Sequence, residues 1–141
     1  MDGRSEKNLS EVHPDLVRVI RDSFDRSPKR FVVIEGRRSI QRQADLIASG
    51  ASAIKDPAQG RHVQGMAVDV MLLDQDGRAV WETAAYRDLA SVVLGVSREL
   101  GIPVTWGGSW RSFPDGPHFE LPRDSYPGSY IVPDENRTVQ T

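Results

Sequence analysis

The chain contains no cysteine, which removes both a disulfide framework and a thiolate metal site, so any metal must be held by nitrogen and oxygen. Histidine is nearly as scarce, with three in 141 residues. No apolar run approaches the length of a membrane span, and the polar start Met1-Asp2-Gly3-Arg4-Ser5-Glu6-Lys7 offers no hydrophobic stretch for a secretory signal. The expectation is a chain made in the cytoplasm that stays soluble, inserts into no membrane, and needs help to reach anything beyond one. An excess of one charge is missing too: 18 basic against 20 acidic residues, net -2, leave no general footprint for nucleic acid. Repeats and low-complexity tracts are also absent. What remains is enough chain for a single domain, 1–141, with its core over about 12–122 and an irregular tail over 123–141.

Hydrophobic spacing orders the elements. After a polar lead, Pro14 suits the first position of a helix that continues through Leu16, Val17, Ile20 and Phe24 and ends near Arg26-Ser27-Pro28. Phe31-Val32-Val33-Ile34-Glu35 reads as a buried strand, turned by Gly36. Ser39 is an N-cap for a helix to Ala48 with Ile40, Ala44 and Ile47 on one face and Gly50 as its stop. Residues 51–61 read as a surface loop, Ala67 to Leu73 as a central strand, and Asp74-Gln75-Asp76-Gly77 as a plain turn, since the remaining ligands of a calcium loop are missing. A partner strand follows at 78–81, then a helix over about 84–100 closed by Gly101, and last strands at 103–106 and 117–121. The class is α+β, a small antiparallel sheet packed with about three helices.

Two of the three histidines fall in the segments His62-Val63-Gln64-Gly65-Met66-Ala67-Val68-Asp69 and Asp115-Gly116-Pro117-His118-Phe119-Glu120. Two imidazoles and a carboxylate, His62, His118 and Asp69, are the set a catalytic zinc site uses when its fourth position stays open for water. His62 and Asp69 are an odd number apart, so one regular strand cannot present both on one face, and Gly65 supplies the turn between them. Asp69 stands amid Ala67, Val68, Val70 and Met71, where an unpaired carboxylate is costly and a cation removes the cost. Gly116 and Pro117 bend the chain so that Asp115 and His118 reach one small volume, which suits Asp115 to carry protons for an attacking water. Glu120, two residues past His118 on the same strand face, is placed to orient that ligand or to hold a substrate amine. Trp106 and Trp110, flanking Gly107-Gly108, read as cleft walls, and His13 beside Pro14 as a cap or surface residue.

Arg38 within Glu35-Gly36-Arg37-Arg38-Ser39, Gln43, the His62-x-x-Gly65-x-Ala67-x-Asp69 segment, Trp106-Gly107-Gly108-x-Trp110 and Asp115 to Leu121 together resemble the L-alanyl-D-glutamate endopeptidases of bacteriophage lysis. These are zinc peptidases grouped with the D-Ala-D-Ala carboxypeptidases and the hedgehog fold. The resemblance runs from about Val12 to Pro122 and implies a hedgehog-like fold, one zinc on His62, Asp69 and His118, Asp115 as catalytic base, and Arg38 steadying an oxyanion or a substrate carboxylate. Gln43, Glu120, Trp106 and Trp110 fall to substrate binding or support of the ligands. It also implies a monomer that takes the peptide stem of peptidoglycan as substrate and waits in the host cytoplasm until a holin opens the membrane. Gly60, Met66 and Ser109 depart from residues common in that family, and none of them is a predicted ligand or the base. A D-Ala-D-Ala carboxypeptidase of the same fold, and a non-catalytic module that binds zinc and wall peptide, are the alternatives.

Overall fold

The computed structural model describes residues 1–52, 56–111 and 114–133. Among these, the helices are α1 (Gly3–Leu9), α2 (Pro14–Arg26), α3 (Ile40–Ala48) and α4 (Thr83–Leu100), and the strands are β1 (Phe31–Glu35), β2 (Ala67–Leu73), β3 (Ala79–Val80), β4 (Thr105–Trp106) and β5 (His118–Glu120). The architecture is the expected α+β, with one helix more than the spacing predicts.

The extra helix is α1, read from the sequence as a polar lead. Asp2 caps it by accepting from the Ser5 amide at 2.7 Å. One apolar residue, Leu9, enters the core, and the attachment to the sheet itself is polar: the Val33 amide donates to Ser5 Oγ at 2.9 Å and Asn8 Nδ2 donates to the Val33 carbonyl at 2.8 Å. Those two bonds occupy backbone groups along β1, an edge strand that would otherwise leave them unpaired. Apolar periodicity does not register a helix that docks through serine and asparagine.

The other helices follow their signals. Pro14 opens α2 and His13 Nδ1 accepts from the Asp15 amide at 3.0 Å, so His13 is a cap. Ser39 Oγ accepts from the Arg42 amide at 3.0 Å at the start of α3, and Gly101, at φ 67°, ends α4 in the left-handed region. The inward face of α3 differs from expectation. Ile40 is 58% exposed whereas Gln43 is 1% exposed, because the helix rests against polar groups of the cleft floor and not against the apolar core.

The sheet is antiparallel in the order β1-β2-β5-β4, and β3 pairs with the far end of β2. Its core face carries Val33, Val68, Val70, Leu72 and Phe119, packed with Leu16, Val19 and Ile20 of α2 and Leu89, Val93 and Val96 of α4. Alternation along the strands sends their neighbours to the opposite face. The register sets Asp69 opposite His118 on β5 and opposite Glu35 on β1, where a bulge between Val33 and Glu35 readjusts the pairing. Three chemically active side chains therefore stand in one row across three strands.

Residues 123–133, the described part of the segment after Pro122, form no helix or strand, yet they are tied down. The Tyr130 amide donates to the Gln64 carbonyl at 2.8 Å, Arg37 donates to the Tyr130 carbonyl at 2.8 Å, and the Tyr126 hydroxyl donates to Asp15 at 2.7 Å. The charged stretch Asp134-Glu135-Asn136-Arg137, to which the sequence assigns no role, lies outside the described residues. Asp74 Oδ1 accepts from the Asp76 and Arg78 amides, each at 2.9 Å, which makes 74–77 the plain turn expected. Among the described residues no helix is long and apolar enough to cross a membrane.

Candidate metal centre

His62 arrives from a loop shaped by Gly65, whose φ of 74° is open to glycine at little cost. The ring is held by its back nitrogen: Nδ1 lies 2.8 Å from the Gly36 carbonyl, which can only accept, so Nδ1 carries the hydrogen. Nε2 then faces Asp69 Oδ1 at 3.2 Å. His118 is held from behind too, but the opposite way round, with Nε2 on Glu120 Oε1 at 2.8 Å and Nδ1 on the same Asp69 oxygen at 3.1 Å. When both rings are neutral, two imidazole lone pairs and a carboxylate oxygen converge with no hydrogen between them. The three ligand atoms lie within 4.8 Å of one another, and His62, Asp69 and His118 could hold a metal ion. Gly36 and Glu120 fix the tautomers that a metal requires.

Gly36 could carry no side chain, since a Cβ would stand 1.7 Å from the Asn8 carbonyl oxygen of α1. The unanticipated helix thus positions the carbonyl that orients His62.

Without a metal the cluster holds protons in its place. Burial raises the Asp69 pKa, but the charge of His62 and hydrogen bonds from His118 and His62 outweigh it and hold the carboxyl far below the ordinary range. Burial likewise favours a neutral His118, yet Asp69 and Glu120 on either side push its pKa up to about 9. The folded value lies above the unfolded 6.5, so this contribution to stability is complete below pH 6.5 and is lost as pH rises through about 9. The unfolding midpoint of the metal-free chain, followed by scanning calorimetry, is therefore expected to fall across that window. Metal-loaded protein should lack this fall, because the metal has already replaced the proton. A metal-free midpoint that climbs from pH 6.5 to 9 would contradict the placement of His118 between two carboxylates.

Asp115 lines the same cleft as His62 and His118, and its carboxylate makes no hydrogen bond among the described residues. Burial first, and the negative charge of Asp69 second, raise its pKa, which strengthens it as a base. Its backbone is fixed by the glycine pair: the Asp115 amide donates to the Gly107 carbonyl at 2.9 Å. A Cβ on Gly107 would lie 2.5 Å from the Asp115 carbonyl oxygen and 2.9 Å from His118 Cβ. A Cβ on Gly108 would meet the Trp106 ring at 2.2 Å, so both glycines are required by close approach.

Trp110 lines the cleft with its ring centroid 4.9 Å from that of His118. Trp106 does not line it; its indole donates to the Gly116 carbonyl at 2.7 Å and braces the loop that carries Asp115. Arg38 grips Glu35 through two bonds of 2.7 Å, donates to Gln43 Oε1 at 2.6 Å, and has Nη2 3.8 Å from Asp69. Gln43 completes the chain by donating to Ser52 Oγ at 2.9 Å. The cleft they border has a volume of about 450 Å³.

Sequence reasoning missed two contributors. Glu35 pre-sets the Arg38 guanidinium, and the signal was a carboxylate ending an otherwise apolar strand three residues before an arginine. Arg61, 5% exposed, donates to the carbonyls of Leu121 at 2.6 Å and Tyr126 at 3.0 Å, tying the His62 loop to the last strand and the tail. A buried arginine spent on backbone carbonyls leaves no pattern in a sequence.

The family description "phage L-alanyl-D-glutamate peptidase" matches residues 1–131. The chain belongs to that family. It is 32% identical over 128 residues to the L-alanyl-D-glutamate peptidase of Escherichia phage T5, covering 90% of this chain and 92% of that protein. It is also 32% identical to the peptidoglycan L-alanyl-D-glutamate endopeptidase CwlK of Bacillus subtilis, covering 79% of this chain and 74% of that one. Among solved structures, the L-Ala D-Glu endopeptidase ChiX of Serratia marcescens superposes with a TM-score of 0.83 at 44% identity, over 91% of this chain and 93% of that chain. The family match begins at residue 1 and so takes in α1, which the sequence-level resemblance, starting near Val12, left out. Within this family member the three departures have local settings. A Cβ at Gly60 would press on Gln43 at 3.1 Å, Met66 is buried in the core, and Ser109 donates to the Trp106 carbonyl at 2.8 Å outside the cleft lining.

Proposed function

We propose that this chain is a zinc endopeptidase that hydrolyses the L-Ala–D-Glu bond in the peptide stem of peptidoglycan, and that it acts in phage lysis. The observation that carries the reading is the convergence of His62 Nε2, His118 Nδ1 and Asp69 Oδ1, each with its tautomer or charge fixed from behind, in a chain of this peptidase family. Nitrogen and carboxylate donors with no thiolate, and a cleft in front of them, fit a catalytic zinc site. His62, Asp69 and His118 would hold the ion. When bound, zinc polarises a carbonyl and lowers the pKa of water toward neutrality.

The remaining work falls to the chain. Asp115, without a hydrogen-bond partner among the described residues and with a raised pKa, takes the proton from the attacking water and returns it to the departing amine of D-Glu. Arg38, held on two sides by Glu35 and Gln43, faces the cleft as a preorganised donor for charge that develops on the scissile carbonyl oxygen. Trp110 walls the site beside His118 and limits access of bulk water. The protein works as a monomer and reaches the wall through a membrane lesion made by another protein; the phage source of one relative supports the setting in lysis.

The test is metal analysis joined to wall hydrolysis. Purified protein should carry close to one zinc per chain, a chelator should abolish release of stem peptides from peptidoglycan, and added zinc should restore it. Full activity in protein stripped of metal would reject the proposal.

A further inference from the structure

The cleft beside His62, Asp69 and His118 is bordered by four arginines, Arg38, Arg42, Arg61 and Arg123, and their donors are unequally committed. Arg38 gives three of its five N–H groups to Glu35 and Gln43 and is already assigned to the scissile carbonyl oxygen. Arg61 is turned away to the carbonyls of Leu121 and Tyr126 and to Gln64. Arg123 donates to the Gln59 carbonyl and to Gln64 Oε1. Arg42 differs. Its amide joins the Ser39 cap, but among the described residues its guanidinium has no hydrogen-bond or ion-pair partner, and the residue is exposed on the cleft wall.

Of the acids at the cleft, Asp115 has a carboxylate without a hydrogen bond, but it makes no ion pair with Arg42 among the described residues, and the other three are engaged. Glu35 is occupied by Arg38, Glu120 by His118, and Asp69 by two imidazoles. Arg42 thus presents an unneutralised charge one turn along α3 from Leu46, which lines the same wall. A cation above an apolar strip suits a ligand that carries an anion beside a hydrocarbon stem.

The proposed substrate has such an anion. A D-glutamyl residue whose amine lies in the scissile bond, and one of whose carboxyls carries the rest of the stem, keeps a second carboxyl within a few bonds of the cleaved amide. We propose that Arg42 binds this carboxylate and selects stems in which it is free over stems in which it is amidated. The inference rests on the L-Ala–D-Glu reading of the site. The fork of a guanidinium matches both carboxylate oxygens, whereas a primary amide loses the charge and sets donors against donors.

The experiment measures kcat/KM on two synthetic stems that differ only at this carboxyl, acid or primary amide, for the zinc-loaded wild type, Arg42→Gln and Arg42→Lys. Wild type is expected to favour the acid by about tenfold or more, the scale of a hydrogen bond to a charged group. Arg42→Gln should bring the ratio close to one, chiefly through KM for the acid stem, and Arg42→Lys should keep part of it. Equal thermal unfolding of the three proteins would show that the exposed substitution leaves the fold intact. An unaltered ratio in Arg42→Gln, or a wild type indifferent to amidation, overturns the role of Arg42 alone. A wild type that cuts neither stem between Ala and Glu overturns the bond assignment and this inference with it.

Discussion

Replacing His118 with alanine is expected to leave a chain that neither retains zinc nor hydrolyses peptidoglycan. His118 supplies one of the three atoms that converge on the centre, and nothing else among the described residues stands in the group that could replace it. The loss reaches further than one ligand. Glu120 loses the partner 2.8 Å away, and Asp69 keeps one imidazole of two. Leaving buried polar groups without partners costs roughly 1–3 kcal/mol each, so a lower unfolding midpoint should accompany the loss of function. Zinc content by elemental analysis separates the effects: a variant that is folded by circular dichroism yet metal-free supports the ligand role. A variant that holds zinc and turns over like wild type would remove His118 from the centre.

Asp115→Asn should behave differently. It preserves size and polarity and removes only the proton acceptor, so zinc and fold are expected to stay while kcat falls about a hundredfold or more, the usual scale of general acid–base catalysis. The raised pKa of Asp115 gives the wild type an acid limb in its rate profile, with activity falling as this carboxyl is protonated. That limb should vanish from the residual rate of Asp115→Asn. Zinc lost together with activity would make Asp115 a ligand. Unchanged turnover would move the base elsewhere, and Glu120 is a poor substitute because its carboxylate is already engaged by His118.

How far the sequence disclosed all this depended on which residues carried each feature. His62, Asp69, Asp115 and His118 were legible because scarce residue types with metal and proton chemistry sit in two short motifs, and Gly65 announced the turn that reconciles the odd spacing of His62 and Asp69. Helices α2 and α4 and strands β1 and β2 were legible because their apolar period matches the face each buries. Helix α1 was hidden because Ser5 and Asn8 attach it through hydrogen bonds, which leave no apolar period. The inward face of α3 was misread in the same sense: Ile40 is exposed and Gln43 turns inward, because that face meets Arg38 and Ser52 and not the core. Trp106 was given to the cleft by its place beside Gly107-Gly108, and its indole hydrogen bond to Gly116 makes it a brace, a distinction only the three-dimensional arrangement draws. The roles of Glu35, Arg61 and the Gly36 carbonyl depend on partners distant in the chain or on backbone atoms, and neither kind of partner is written in a motif.

The central claim is tested most directly by mass spectrometry of the fragments released from intact muropeptides by the zinc-loaded protein. Cleavage between L-Ala and D-Glu releases a stem peptide with a new amino group on D-Glu and leaves L-Ala on the muramyl sugar. That pair of products, present with zinc and absent after chelation, is the predicted result. Free D-Ala as the sole product would contradict it and point to a carboxypeptidase on the same metal centre, and intact muropeptides in the presence of bound zinc would contradict catalysis altogether.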